Sequence, residues 1–289
     1  MREIKYYKKP ELKSPILVAG FGGWANAGDV PSRSISYLTQ KLNAPIFAEI
    51  EPDPFFNFEA NRPMVEIQGG QVVSIMKPKG RFHFHEAGNK GTDLIIFYGD
   101  EPHFHWSDYL EIFLDFAQKH NVSLVITLGS NYDQVLHYEE RVSAVVSSTS
   151  AMNLARKLSL PLLEYSSHGS ISLLLISEAE SRGLDALALW AHAPFYIHGT
   201  NYKLCARVIE TISEISGVEL ETAELRTAWE TLEQQINSLV EKNEKLRQQI
   251  REISKMTGTE PFSPGGTLQD SKVIRLDEFL KKKDETEKS

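Results

Sequence analysis

PILVAGF (Pro15–Phe21) running into GGWANAGD (Gly22–Asp29) is the stretch that decides the fold class. Its first half is a short unbroken apolar run rich in Ile and Val and stopped by glycines, the pattern of a strand covered on both faces. Beyond the glycine-rich loop, Asp29 as a capping acid and Pro31 in a first turn precede Ile35, Leu38 and Leu42 at helical spacing. Residues 45–50 read as another strand. Strand, loop, helix and strand in this order are the unit of an α/β fold.

Working outward, Met64–Gln68 and Gln71–Met76 are β-type segments joined by Gly69-Gly70, a dipeptide that reaches positive φ without steric cost and predicts a hairpin. An antiparallel piece among buried strands implies a mixed sheet. Asp93–Tyr98 and Val122–Leu128 are further buried strands, separated by a helix over Trp106–Lys119 that carries Leu110, Phe113, Leu114 and Ala117 on one face. Ile171–Ser181 predicts a helix and Ala186–Ala191 one more strand. Such alternation gives an α/β sandwich with a mixed sheet between helices, over residues 1–198.

After His198 no strand pattern remains, so residues 199–256 are expected to form a helical arm and residues 257–289 a Pro/Gly linker with a charged tail. In that tail Val273, Ile274, Leu276, Phe279 and Leu280 could dock. Within the arm, Leu225, Trp229, Leu232, Ile236, Leu239, Asn243, Leu246, Ile250 and Ile253 alternate at spacings of four and three. This is a heptad seam with Asn243 at an a position, and it predicts one helix over Glu219–Met256. The seam can pack on the protein's own domain or pair with another subunit. A single helix of that length outruns what the domain covers, so Leu232, Ile236, Leu239, Asn243, Leu246 and Ile250 are expected to contribute to a homo-oligomer interface.

The chain has 289 residues, 41% hydrophobic and 24% charged, enough to bury a core without disulfides or a structural metal. One cysteine, Cys205, cannot form an internal disulfide and points to a reducing compartment. No apolar run approaches the roughly 20 residues of a membrane span. A cytoplasmic protein without membrane contact is expected. The net charge of -8 repels phosphate backbones and argues against nucleic acid as a partner.

Three groupings bear on chemistry. Gly20 to Ala25 superficially matches a dinucleotide loop, with Glu49 and Glu51 at the distance of a ribose-binding acid. In such a site, however, the glycines lead directly into a helix, whereas Asn26 to Asp29 intervene here. His83 and His85, and His103 and His105, form two His-any-His pairs, yet no further ligand is fixed by spacing, so no metal is expected. Ser166, Ser167, His168 and Ser170 are neighbours in sequence, which seldom makes a nucleophile and its base, and Ser167 or Ser170 explains itself as a helix cap. No catalytic residue and no cofactor follow. The loop residues Gly22, Gly23, Trp24, Asn26, Gly28 and Asp29 remain as a ligand or interface loop, with Trp24 expected mostly buried and Gly28 expected either at positive φ or against another backbone.

FGGWANAGD (Phe21–Asp29), NRP (Asn61–Pro63), GDEPHFHW (Gly99–Trp106) and GSISLLLISEAESRGLDALALWAHAPFY (Gly169–Tyr196) together resemble the proteasome assembly chaperone 2 family in its prokaryotic branch. The resemblance implies an α/β core similar to the purine nucleoside phosphorylase type, followed by helices, and it implies self-association and protein binding of an assembly-chaperone kind without catalysis. Members often carry the label ATP-grasp or carboxylate-amine ligase, whose phosphate loop and metal carboxylates have no counterpart among these motifs. The alternative is a small-molecule enzyme, ligase-like or nucleoside-phosphorylase-like, using the loop Gly22 to Asp29. Two departures stand out. Leu136–Val142 replaces the His-Thr-Arg-Pro stretch of relatives, and the chain ends Glu287-Lys288-Ser289 without the hydrophobic-tyrosine-any ending through which some relatives engage proteasome rings.

Overall fold

A computed structural model describes residues 4–78, 80–256 and 274–275. Its strands are β1 (Ile4–Tyr6), β2 (Ile16–Gly22), β3 (Ile46–Ile50), β4 (Met64–Gln68), β5 (Gln71–Met76), β6 (Gly80–His85), β7 (Leu94–Asp100), β8 (Leu124–Asp133), β9 (Val142–Val146), β10 (Ala186–Pro194), β11 (Ile197–His198) and β12 (Ile274–Arg275). The helices are α1 (Val30–Lys41), α2 (Trp106–Lys119), α3 (Thr149–Lys157), α4 (Ile171–Ser181), α5 (Tyr202–Ser216), α6 (Ala223–Lys242) and α7 (Glu244–Met256).

Eight strands form one sheet in the order β1-β3-β6-β7-β2-β8-β10-β9. The central β7, β2, β8 and β10 are parallel, and β1, β3, β6 and β9 complete it in antiparallel register. The sheet is therefore mixed, through these strands and not through β4 and β5, which among the described residues pair only with each other. Every residue of β2 is buried, and its side chains alternate between two cores. Ile16 and Val18 join one core with Val30, Ile35 and Leu38 of α1 and with Leu204, Val208 and Ile212 of α5. Leu17, Ala19 and Phe21 join the other with Phe113 and Phe116 of α2 and Leu175 of α4. A strand apolar at consecutive positions is what a sheet covered on both faces demands.

α5 thus belongs to the sandwich, as a layer against α1 and β10, and α6 packs on α5, its Leu225 joining the first core. The expected single helix over Glu219–Met256 is broken at Asn243, whose backbone is extended (φ -122°, ψ 100°). Its side-chain oxygen accepts the Leu246 N–H at 3.3 Å. Asn is as good a helix cap as it is a coiled-coil a residue, and here capping prevails. Trp229, Leu232, Ile236, Leu246 and Ile253 of the seam are buried in a third core together with Leu136, Tyr196 and Ile197 of the same chain. Val273, Leu276, Phe279 and Leu280 lie outside the described residues; the backbone of Ile274 and Arg275 pairs in parallel with β11. No helix among the described residues is long and apolar enough to cross a membrane.

Candidate functional site

β2 is followed by α1 on one face of the sheet and β7 by α2 on the other, so the chain leaves two adjacent parallel strands in opposite directions. Open α/β sheets place ligands and partners in the crevice such a divergence creates at the carboxyl ends of the strands. Four segments far apart in sequence converge there. Gly22 ends β2 so close to β7 that a Cβ on it would lie 2.7 Å from Asp100 Oδ1 and 3.1 Å from the Tyr98 hydroxyl. Asn61 donates to the other Asp100 oxygen at 3.2 Å. Glu101 donates its N–H to the Gly22 carbonyl at 2.8 Å, and its carboxylate accepts the Ile171 N–H at 2.8 Å, an anion at the first turn of α4. Burial, helped by the nearby Asp100 and Asp29 carboxylates, raises the pKa of Tyr98, which stays a neutral phenol.

The loop after β2 is pinned along its length. Ser130 donates its N–H to the Ala25 carbonyl at 3.0 Å and its hydroxyl to the Ala27 carbonyl at 2.7 Å. Gly28 sits at φ 59°, as expected, with the Asn201 N–H donating to its carbonyl at 2.8 Å. A side chain here would be strained by that φ and would stand 3.1 Å from Asn201 Cβ. Asp29 does not cap α1 as expected. It is left-handed and accepts from the Thr200 hydroxyl at 2.9 Å, while Asn26 Oδ1 takes the Ser32 N–H at 3.1 Å. With the Ser32 amide met by the Asn26 side chain and the Asp29 carboxylate alongside, the start of α1 is not arranged as a cradle for a pyrophosphate. Trp24, expected buried, is 54% exposed. The loop's rigidity comes from backbone and small side chains, which leaves the indole to project into solvent. Phe104, on the loop between β7 and α2, is 49% exposed.

A second polar constellation lies deeper along the same edge. Asp133 at the end of β8 accepts from His192 Nδ1 at 2.8 Å, and His192 Nε2 lies 2.8 Å from the Ser143 hydroxyl of β9. Carboxylate, imidazole and hydroxyl in line are the components of a nucleophile relay. All three are buried, at 5%, 1% and 3% exposure, so in this conformation the hydroxyl is closed to a substrate. The arrangement ties β8 and β10 to the edge strand β9. Sequence reasoning missed it because its members are separated by loops of unrelated length; Trp-Ala-His-any-Pro was the available signal. Neighbouring Trp190 donates to Asn131 at 2.7 Å.

A groove of about 480 Å³ opens beside Asp29, between α1 and the β6–β7 pair, lined among others by Arg33, Arg81, His83, Tyr98 and Thr200. His83 is bound to the Ala44 carbonyl at 2.9 Å, and burial lowers its pKa. His105 is the left-handed residue before α2 and faces Asp108 at 3.5 Å, while His103 Nδ1 takes the Asn57 N–H at 3.4 Å. Among the described residues no group of three His, Cys, Asp or Glu could hold a metal ion. Cys205 is fully buried and its thiol is pushed up to about 12 by desolvation, far from nucleophilic character. Of the expected interface residues, Leu232, Ile236 and Leu246 are buried within the chain, and Leu239, Asn243 and Ile250 are half-buried.

The PAC2 family matches residues 20–240. No curated protein matches at a significant level. Among solved structures, a PAC2 family protein from Streptomyces avermitilis is 27% identical, with TM-score 0.74, covering 82% of this chain and 99% of its own. A proteasome-assembly chaperone homologue from Mycobacterium tuberculosis is 24% identical, with TM-score 0.74 and coverages of 81% and 99%. An archaeal proteasome activator from Pyrococcus furiosus shares the fold at 22% identity, TM-score 0.66 and coverages of 83% and 99%. The segments that meet at the crevice, from Gly22 through Asn61 and Glu101 to Ile171, lie within the matched region, and the chain belongs to the PAC2 family.

Proposed function

We propose that this protein acts by binding other proteins, in the manner of an assembly chaperone, self-associates, and carries out no catalysis of its own. The observation that carries the reading is Trp24: a large aromatic held half out of solvent on a loop pinned at Ser130, Gly28 and Asp29, which is how a preorganised protein-binding anchor is built. Family membership, and similarity to a proteasome-assembly chaperone homologue and an archaeal proteasome activator, support it. A fold of the α/β domain similar to the purine nucleoside phosphorylase type, residence in the cytoplasm and a share of the self-association surface for the half-buried Leu239 and Ile250 complete the proposal. The test is a photo-crosslinking amino acid placed at Trp24 in cells of the native host. A discrete crosslinked partner, absent when the label is moved to exposed Leu174, is the expected result. A Trp24 label that captures nothing refutes the loop as the anchor.

The groove beside Asp29 favours a second reading, a small-molecule binder recognising an anionic group through Arg33 and Arg81. Saturable thermal stabilisation by a carboxylate or phosphate metabolite, lost in Arg81→Ala, would support that reading over the first.

A further inference from the structure

His137 joins three parts of the chain that are remote in sequence. It lies between β8 and β9 and is 3% exposed. Its backbone N–H donates to the Tyr196 hydroxyl at 2.9 Å, the same hydroxyl lies 2.8 Å from its Nδ1, and its Nε2 lies 2.9 Å from Asn237 Oδ1 of α6. These partners set the tautomer. The Tyr196 oxygen, fully buried, already accepts one N–H, and among the described residues its own proton has Nδ1 as its acceptor. Nδ1 is therefore the bare nitrogen, and Nε2–H donates to Asn237. A second proton can enter only at Nδ1. There it meets the phenolic O–H, donor against donor, and it brings a positive charge into a buried site.

We propose that His137 is a proton-operated latch on α6: neutral, it ties the helix to the sandwich through Asn237, and protonated it releases α6 beyond Arg226, with α7, while the sandwich stays folded. The packing divides at the same place. Trp229, Leu232 and Ile236 belong to the third core, together with Leu136, the residue before His137, and Tyr196, its hydrogen-bond partner. Leu225, one turn earlier, belongs to the first core, and Arg226 pairs with Glu140 and Glu210. The charges around the ring offset one another. Glu233 of α6 and Lys203 of α5, the charged side chains that act on His137, pair with each other at 3.7 Å. In its own turn Glu139 accepts the Leu136 N–H, and the Tyr138 ring stands edge-on with centroids 5.5 Å apart. Burial keeps Tyr196 a neutral phenol, its pKa raised, and lowers the pKa of His137. The open form takes up its proton near pH 6.5 and the closed form only at lower pH. The closed form is thus fully favoured above that value, and below it the opening constant rises by up to about tenfold per pH unit until the folded pKa is reached.

Hydroxyl-radical footprinting of the full chain, read by mass spectrometry at pH 7.5 and pH 5.5, tests the proposal. Trp229 and Trp190 are both buried, at 2% and 3% exposure, and Trp190 belongs to the sandwich strand β10. In the wild type, oxidation of Trp229 is expected to rise several-fold at the lower pH while that of Trp190 stays constant. His137→Gln cannot titrate, and Asn237→Asp sets a carboxylate on Nε2 that stabilises the imidazolium in the closed form. In both variants Trp229 should therefore be insensitive to pH over this range. Asn237 is exposed, so the fold tolerates Asn237→Asp, which decides the matter should His137→Gln expose both indoles already at pH 7.5. Wild-type Trp229 equally protected at both pH values overturns the latch. So does Trp190 rising in step with Trp229, which is global unfolding, or either folded variant opening with the wild-type pH dependence.

Discussion

Trp229 decides whether α6 and α7 are held by this chain or await another molecule. Its indole is 2% exposed, in a core with Leu136, Tyr196, Ile197, Leu232 and Ile236. Truncating a buried Trp to Ala in a packed core costs about 3–5 kcal/mol, the transfer of the ring plus the cavity left behind. Phenylalanine behaves differently. It keeps most of the ring contact and removes Nε1, a buried donor with no acceptor in the structure. An unmet buried donor costs about 1–3 kcal/mol, so its removal offsets the lost area and Trp229→Phe should fall within ~1.5 kcal/mol of wild type. Urea denaturation followed by circular dichroism, with limited proteolysis of α6 and α7 alongside, measures both variants. At roughly 2–4 °C per kcal/mol for a domain of this size, the Ala variant should melt on the order of 10 °C lower or release its last two helices to protease. A Trp229→Ala protein with unchanged stability and unchanged proteolysis would refute internal packing of the seam. A Phe variant as damaged as the Ala variant would refute the account of Nε1.

Asp133→Leu should destabilise by roughly 2–4 kcal/mol, because His192 would lose its acceptor inside the protein, and chemical denaturation reads this directly. Ser143→Ala, which removes the last hydroxyl of the same chain of hydrogen bonds, should cost less, about 1 kcal/mol, and should leave partner crosslinking at Trp24 intact. Burial lowers the pKa of His137, His83 and His120. The unfolded chain therefore takes up their protons at a higher pH than the folded one, so stability is full above about pH 6.5 and falls as pH drops toward their folded pKa values. Thermal melts between pH 8 and pH 5 should show that decline, and His137→Gln should flatten part of it. Trp24→Ala should change stability by less than about 1 kcal/mol, since half of its surface is already in water, and abolish co-purification of the partner captured at Trp24.

The sandwich was legible in the residues because its signals are local. PILVAGF needs burial on both faces whatever surrounds it, Trp106–Lys119 shows its helix by periodicity, and both that helix and Ile171–Ser181 match the structural bounds. Gly28 was likewise readable, a turn rich in small residues requiring positive φ somewhere. Strands β1, β6 and β9 were not: β1 and β9 are short edge strands and β6 is half-polar between β3 and β7, so their strand character comes from neighbours rather than from their own sequence. Asn243 shows the limit most plainly. The heptad pattern is satisfied equally by one long helix paired outside the chain and by two helices broken at a cap, and only the apolar surface of Leu136, Tyr196 and Ile197 within reach selects the second. Trp24 and the Asp133–His192–Ser143 chain were decided in the same way. A residue's neighbours along the chain set its backbone, but whether an indole meets solvent, or a serine meets a histidine, depends on strand order and register, which are settled only when the whole sheet closes.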